Sequence, residues 1–191
     1  MSTIFAGPKR KYPRALAEQV VADLLPKLMP FCHRMEVAGS YRRGKAEVGD
    51  VELVFMPKLR PVKMDLFGGT TEVDTMADRL DALVREGVLS KRLNVRGAVS
   101  WGPKNKLAQH CASGMPVDLF ATSEDAWWNY LVCRTGSAEN NVRISQAAQD
   151  KGWRWEPYGA GFMTPEGLVR VESEEALWGI LGLPYVPPEQ R

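Results

Sequence analysis

A chain of 191 residues that is 45% hydrophobic and 25% charged has an ordinary globular composition, with room for one substantial core or two small ones. Disordered, collagen-like and low-complexity classes are excluded, and no apolar run reaches the length of a helical membrane span. The net charge of +2 is too small to demand a polyanionic partner, although basic residues cluster at 9–11, 42–45 and from 91 to 106, where they could meet phosphates.

Pro13 suits the first turn of a helix, and Leu16, Val20, Leu24 and Leu28 recur at four-residue spacing after it. A helix with one buried stripe is predicted, ending or kinking near Pro26. Within the next stretch, Cys32-His33 and the later His110-Cys111 pair supply the donor types of a zinc site. Adjacent residues on a strand point to opposite faces, however, so the four read as ordinary thiols and imidazoles. With Cys133 the cysteines number three and are widely spaced; no disulfide framework and a reducing, cytoplasmic setting are expected.

A short strand is predicted over 35–38, running into Gly39-Ser40, and a second over 50–55, closed by Pro57. Met76, Ala77, Leu80, Leu83 and Val84 give a helix with Asp74 or Thr75 as cap and Gly87 as stop. Residues 92–101 alternate weakly and 117–121 form a clear strand, so a mixed sheet with flanking helices accounts for the first two thirds. From 122 the texture becomes helical. Thr122 or Ser123 caps a helix through Cys133, and another runs over 138–151 to Gly152. Segments 153–155 and 168–171 read as a pair of short strands, followed by a helix over 173–181 and a Pro-rich tail. Five of the tryptophans, Trp127, Trp128, Trp153, Trp155 and Trp178, fall in this last third, where core packing is the expected use of each.

Asp50 and Glu52 sit at i and i+2 on a predicted strand, so both carboxylates project from one face. Two acids so close repel unless a cation lies between them, and an all-oxygen donor set suits Mg²⁺ or Mn²⁺. Just upstream, Gly39-Ser40-Tyr41-Arg42-Arg43-Gly44 combines a glycine and serine at a helix start with arginines, the parts of a phosphate cradle. Asp118, in Val117-Asp118-Leu119-Phe120 on another strand, is a third acid. Three carboxylates suffice for a two-metal centre.

Residues 37–45 followed by Gly49-Asp50-Val51-Glu52-Leu53 resemble the phosphate and metal motif of the family X (DNA polymerase β-like) DNA polymerases, and 117–120 resemble the strand bearing their third acid. The resemblance continues through Arg134-Thr135-Gly136-Ser137 with Asn141 and Arg143, similar to the thumb segment that packs on the incoming nucleotide, through Glu156-Pro157-Tyr158-Gly159, and into the tail. It covers the chain from about 13 to 191. It implies an α/β (α+β) fold: a nucleotidyltransferase palm with mixed sheet and flanking helices over 1–121 and a small α+β thumb over 122–191.

By that resemblance Asp50, Glu52 and Asp118 ligate two Mg²⁺ or Mn²⁺ ions, with Asp118 nearest the primer 3′-hydroxyl. Gly39, Ser40, Arg43 and Gly49 hold the triphosphate, while Arg134, Gly136 and Asn141 contact the nucleotide and Arg143 faces the template. The implied activity is addition of dNTPs to the 3′-hydroxyl of primer–template or gapped DNA by a cytoplasmic monomer with no membrane partner, in gap filling or short-patch repair. The stretch before Gly39 is too short for the family's lyase domain, so lyase activity is expected to be absent. Two positions depart from the pattern. Glu52 stands where the polymerases usually have Asp, and Cys133-Arg134 replaces an aromatic pair that crowds the 2′ position of the sugar, so weakened sugar discrimination is expected. Two alternatives stay open: a nucleotidyltransferase acting on another acceptor, and a nucleic-acid-binding module without catalysis.

Overall fold

The computed structural model describes residues 10–63 and 69–191. β1 (Tyr12–Pro13) leads into α1 (Arg14–Leu28), for which Pro13 is the N-cap. Pro26 lies inside α1 without ending it, because the helix continues to Leu28 and tightens into a 3₁₀ turn over Met29–Phe31. Next come β2 (Cys32–Val37), the one-turn helix α2 (Gly39–Arg42), β3 (Glu47–Val48) and β4 (Val51–Pro57). A hairpin of β5 (Leu59–Lys63) and β6 (Thr70–Asp74) has no counterpart in the predicted elements. Asp74 then caps α3 (Thr75–Arg85), its Oδ1 accepting from Met76 N at 2.8 Å and Ala77 N at 3.2 Å.

β7 (Leu89–Lys91), β8 (Asn105–His110) and β9 (Pro116–Ala121) complete the main sheet. The strand expected over 92–101 is replaced by a loop pinned by the isolated bridges Leu93↔Val99 and Trp101↔Lys106. The five strands lie in the order β2-β4-β9-β8-β7, with β4 and β9 parallel and every other pair antiparallel. This is the mixed α+β architecture expected. Alternation along β4 and β9 sends Val51, Leu53, Phe55, Val117 and Leu119 into a core with α1 (Ala17, Val20, Leu24, Leu28) and α3 (Met76, Leu80, Leu83). Glu52, Val54, Asp118 and Phe120 therefore belong to the opposite face.

That opposite face is closed at one end by α4 (Trp127–Thr135), whose Trp127, Tyr130 and Leu131 pack on Ala38, Val54 and Phe120. The helix begins later than the Thr122 or Ser123 cap predicts. Residues 123–127 form a turn instead, with Ala126 N donating to Ser123 O and Trp127 N to Glu124 O, each at 3.2 Å. A second core gathers α5 (Ala138–Asp150), α6 (Glu174–Leu181) and the sheet of β10 (Arg154–Trp155), β11 (Gly161–Thr164) and β12 (Gly167–Arg170). Val132, Ile144, Phe162, Leu177 and Trp178 meet there, with three strands where two were predicted. The tryptophans are engaged in packing: Arg34 lies 4.3 Å from the ring centres of both Trp127 and Trp128, and Trp155 Nε1 donates to Asn129 Oδ1 at 2.7 Å. Cys32, Cys111 and Cys133 are free thiols.

Candidate active site

The register of the parallel pair brings two acids together. Glu52 on β4 is the Cα partner of Asp118 on β9, so residues 66 positions apart in sequence occupy adjoining places on one sheet face. Asp50 is buried immediately before β4 and not within it. All three carboxylates are thus held at the N-terminal ends of two neighbouring strands.

Backbone geometry around Glu52 depends on one glycine. Ala38 N donates to Glu52 O at 2.8 Å, and the chain then turns through Gly39 at φ +63° into α2. A Cβ on Gly39 would fall 1.8 Å from Glu52 Oε2. The carboxylate occupies the hollow that the missing side chain leaves, and the positive φ independently favours glycine.

Asp118 has a different neighbour. Arg92 Nη2 lies 2.5 Å from Asp118 Oδ1, a charge-assisted pair. Among the described residues no three His, Cys, Asp or Glu side chains converge on a point fit for a metal ion. The donor chemistry of Asp50, Glu52 and Asp118 nevertheless fits a hard divalent cation, and the Gly39 hollow gives the Glu52 carboxylate room beside it.

The two arginines of α2 part company. Arg42 turns away from the acids and grips Glu174 of α6 with both terminal nitrogens, at 2.7 and 2.8 Å, while its Nη1 donates to Thr135 Oγ1 at 3.0 Å. Arg191 Nη1 reaches the same Glu174 carboxylate at 3.2 Å. Burial alone would raise the Glu174 pKa, but the hydrogen bond and charge of Arg42, with Arg191 beside it, hold it below the usual carboxylate range. Arg42 is therefore an internal tie and leaves the basic cluster predicted to meet phosphate. Arg43 Nη1 donates to Thr135 O and lies 3.1 Å from where a Gly136 Cβ would be, so a side chain at 136 would press on the guanidinium. Gly136 has φ +68° and a cis peptide to Ser137.

Downstream, Asn141 on α5 donates from Nδ2 to Cys133 O at 2.9 Å, and its Oδ1 is buried with no partner among the described residues. Burial pushes the Cys133 thiol up to about 11, with Arg134 opposing the rise and Glu52 adding to it. Arg134, the next residue, faces elsewhere: its guanidinium carbon lies 3.6 Å from the Phe120 ring centre, 4.9 Å from Tyr158 and 5.3 Å from Tyr130. It lines a cavity of about 690 Å³ with Lys104, Thr122, Tyr130 and Tyr158. Gly39, Arg43, Gly136 and the acid register are thus brought to one region, and Arg134 is on another side of α4. Arg92, Glu174 and Arg191 carry no sequence signal that assigns them to this arrangement. Arg92 was visible only as one of a basic run, because a pairing with a residue 26 positions away leaves no local pattern.

A family model for the DNA polymerase beta palm matches residues 11–115, and one for the DNA polymerase beta thumb matches 130–191; Asp118 lies between the two matches. The chain is 24% identical over 184 residues to the DNA polymerase/3′-5′ exonuclease PolX of Bacillus subtilis, covering 95% of itself and 28% of that relative. It thus spans little more than a quarter of the length of that curated relative. Among solved structures it resembles Leishmania infantum polymerase beta in a ternary P/T complex, with TM-score 0.69 and 21% identity over 95% of this chain and 77% of that one. The same polymerase in a ternary gap complex gives TM-score 0.72 at 20% identity, over 95% and 71% of the respective chains. The matching palm model alone spans more than half of the 191 residues, and the chain belongs to the DNA polymerase beta family.

Proposed function

We propose that this protein is a DNA polymerase that adds dNTPs to a DNA 3′-hydroxyl. The observation that carries this reading is the cross-strand register of Glu52 and Asp118, with Asp50 beside them and the Gly39–Arg43 turn adjoining, in a member of this family. Residues 1–121 act as palm and 122–191 as thumb. Primer–template and gapped DNA are the substrates, in keeping with the complexes in which the Leishmania polymerase is found. Filling of short gaps by a cytoplasmic monomer is the proposed setting.

The 3′-hydroxyl gives its proton to solvent as its oxygen attacks the α-phosphorus, the bond to the bridging oxygen breaks, and pyrophosphate leaves. Asp50, Glu52 and Asp118 would hold two Mg²⁺ or Mn²⁺ ions, which when bound would supply activation of the hydroxyl and neutralisation of the developing charge. Asp118 would be the ligand on the side of the primer terminus. Arg43, pinned by Thr135 O, presents its remaining N–H groups to the triphosphate together with Ser40 and the backbone of Gly39 and Gly49. Gly136 and Asn141 orient the sugar and base, which makes positioning the main protein contribution.

The basic residues Lys91, Arg96 and Lys104 around the 92–104 loop favour DNA over a small-molecule acceptor. Glu52 in place of aspartate suits the wider nucleotidyltransferases equally, so acceptor choice is the point to test. Labelled dNTP incorporation on matched gapped, recessed and single-stranded DNA, with Mg²⁺ and with EDTA, is the experiment. Metal-dependent extension is expected on the first two. Incorporation into none of the three would reject the polymerase reading, and binding without incorporation would favour a non-catalytic module.

A further inference from the structure

The ion pair between Arg92 and Asp118 has a built geometry. Arg92 N donates to Leu107 O at 2.9 Å, and Leu107 is the Cα partner of Asp118 across β8 and β9. The arginine backbone is therefore fixed one strand away from the carboxylate that its Nη2 reaches at 2.5 Å. Its Nε is buried with no partner among the described residues, so the guanidinium is committed to Asp118 through one edge only. The side chain keeps 30% exposure, against 15% for Asp118, which leaves a way out toward solvent.

The loop that follows holds itself together. Asn94 Oδ1 accepts from Arg96 N at 2.9 Å and Ala98 N at 3.1 Å, and Leu93 bridges Val99. A change of Arg92 rotamer consequently needs no unfolding of the loop.

We infer that Arg92 is the resident counter-ion of Asp118, a positioning residue that holds this carboxylate in place until a divalent cation displaces it. The inference rests on the assignment of Asp118 as a metal ligand. The guanidinium on Asp118 Oδ1 sets a positive charge beside any cation that this carboxylate would take, and the two repel at such short range. Metal binding and the Arg92 pair therefore compete, and the pair sets a threshold for cation loading.

Mn²⁺ binding to the full chain, without nucleotide or DNA, is measured from the electron paramagnetic resonance signal of free Mn²⁺ for the wild type and for Arg92→Gln, Arg92→Lys and Asp118→Asn. Arg92→Gln is expected to tighten binding roughly tenfold, the scale of one charge-assisted hydrogen bond. Arg92→Lys should stay near the wild type, since it keeps the charge, and Asp118→Asn should weaken binding. Unchanged or weaker binding by Arg92→Gln, with Asp118→Asn weakened, overturns the inference and leaves Asp118 a ligand. Wild-type affinity in Asp118→Asn overturns the ligand assignment itself, and the inference with it. Independently of any variant, the Arg92 Nε–H resonance of ¹⁵N-labelled wild type should move as Mg²⁺ is added; a resonance that stays fixed through saturation overturns the displacement.

Discussion

The Glu52 carboxylate lies where a side chain on Gly39 would begin, with Oε2 1.8 Å from the position of an ideal Cβ. A methyl group there displaces the carboxylate, and the φ of +63° adds roughly 1 kcal/mol of backbone strain for any L residue. Because the displaced atom ends a flexible side chain, the fold should absorb most of the collision. Gly39→Ala is therefore expected to lose about 1–2 kcal/mol in urea unfolding yet to lower incorporation by more than about 100-fold. Loss of activity in proportion to stability alone would mean that the placement of Glu52 does not matter.

The acids should not be equivalent under substitution. Asp118→Ala and Asp50→Ala each remove a proposed metal ligand without opening a core cavity, and incorporation should fall by about 10³-fold or more with little change in melting temperature. Glu52→Asp keeps the charge and shortens the arm, so a smaller loss is expected. Near wild-type turnover of Asp118→Ala in Mg²⁺ would remove Asp118 from the site.

Glu174 predicts a separate effect on stability. Its carboxylate is buried, gripped by Arg42 and touched by Arg191, so Glu174→Ala strands two arginines and should cost about 3 kcal/mol. Its pKa is depressed in the folded state. The unfolded chain then holds more protons over the interval between the two pKa values, so this stability is complete above about pH 4.3 and drains away as the pH falls through the folded value. Urea midpoints from pH 7 to 3 should converge for the wild type and Glu174→Ala at the acid end. A constant gap across that range would assign the loss to packing.

Local signals were legible where the chemistry is local. Of the two caps the sequence offers for α3, Asp74 and Thr75, the structure uses Asp74. The start of α4 departs from the sequence pattern because Thr122 and Ser123 look like caps, whereas Trp127, Tyr130 and Leu131 pack on Val54 and Phe120 and the chain turns first. The β5–β6 hairpin escaped notice because Arg60, Pro61, Thr71 and Glu72 carry no apolar alternation. Within the site, acid spacing and the glycine–arginine string lead to β4, β9 and the α2 turn, and the register of β4 on β9 sets Glu52 opposite Asp118. Nothing in the string, however, distinguishes Arg42, spent on Glu174, from Arg43, which points at Thr135 O. That division of labour depends on α6, more than 130 residues away.

Sugar selection provides the sharpest test of the α4 terminus. From the sequence, Cys133 and Arg134 together stand where the family has an aromatic pair, and both were expected to loosen discrimination. The structure separates them. Cys133 lies against Asn141, whose Nδ2 is 2.9 Å from the cysteine carbonyl and 4.0 Å from its Sγ, and its thiol feels the charge of Glu52. Arg134 is stacked 3.6 Å from the Phe120 ring centre, with Tyr130 and Tyr158 around it. Cys133 thus adjoins Asn141 of the proposed nucleotide site, whereas the guanidinium of Arg134 is held among aromatic rings. Cys133→Tyr should add bulk there and raise the dNTP/rNTP ratio of kcat/KM by roughly tenfold. Arg134→Ala should leave that ratio within about threefold while costing about 1–2 kcal/mol of stability through the lost cation–π contacts. A ratio that responds to Arg134→Ala and ignores Cys133→Tyr would return sugar choice to the arginine and require its guanidinium to leave the aromatic rings when nucleotide binds.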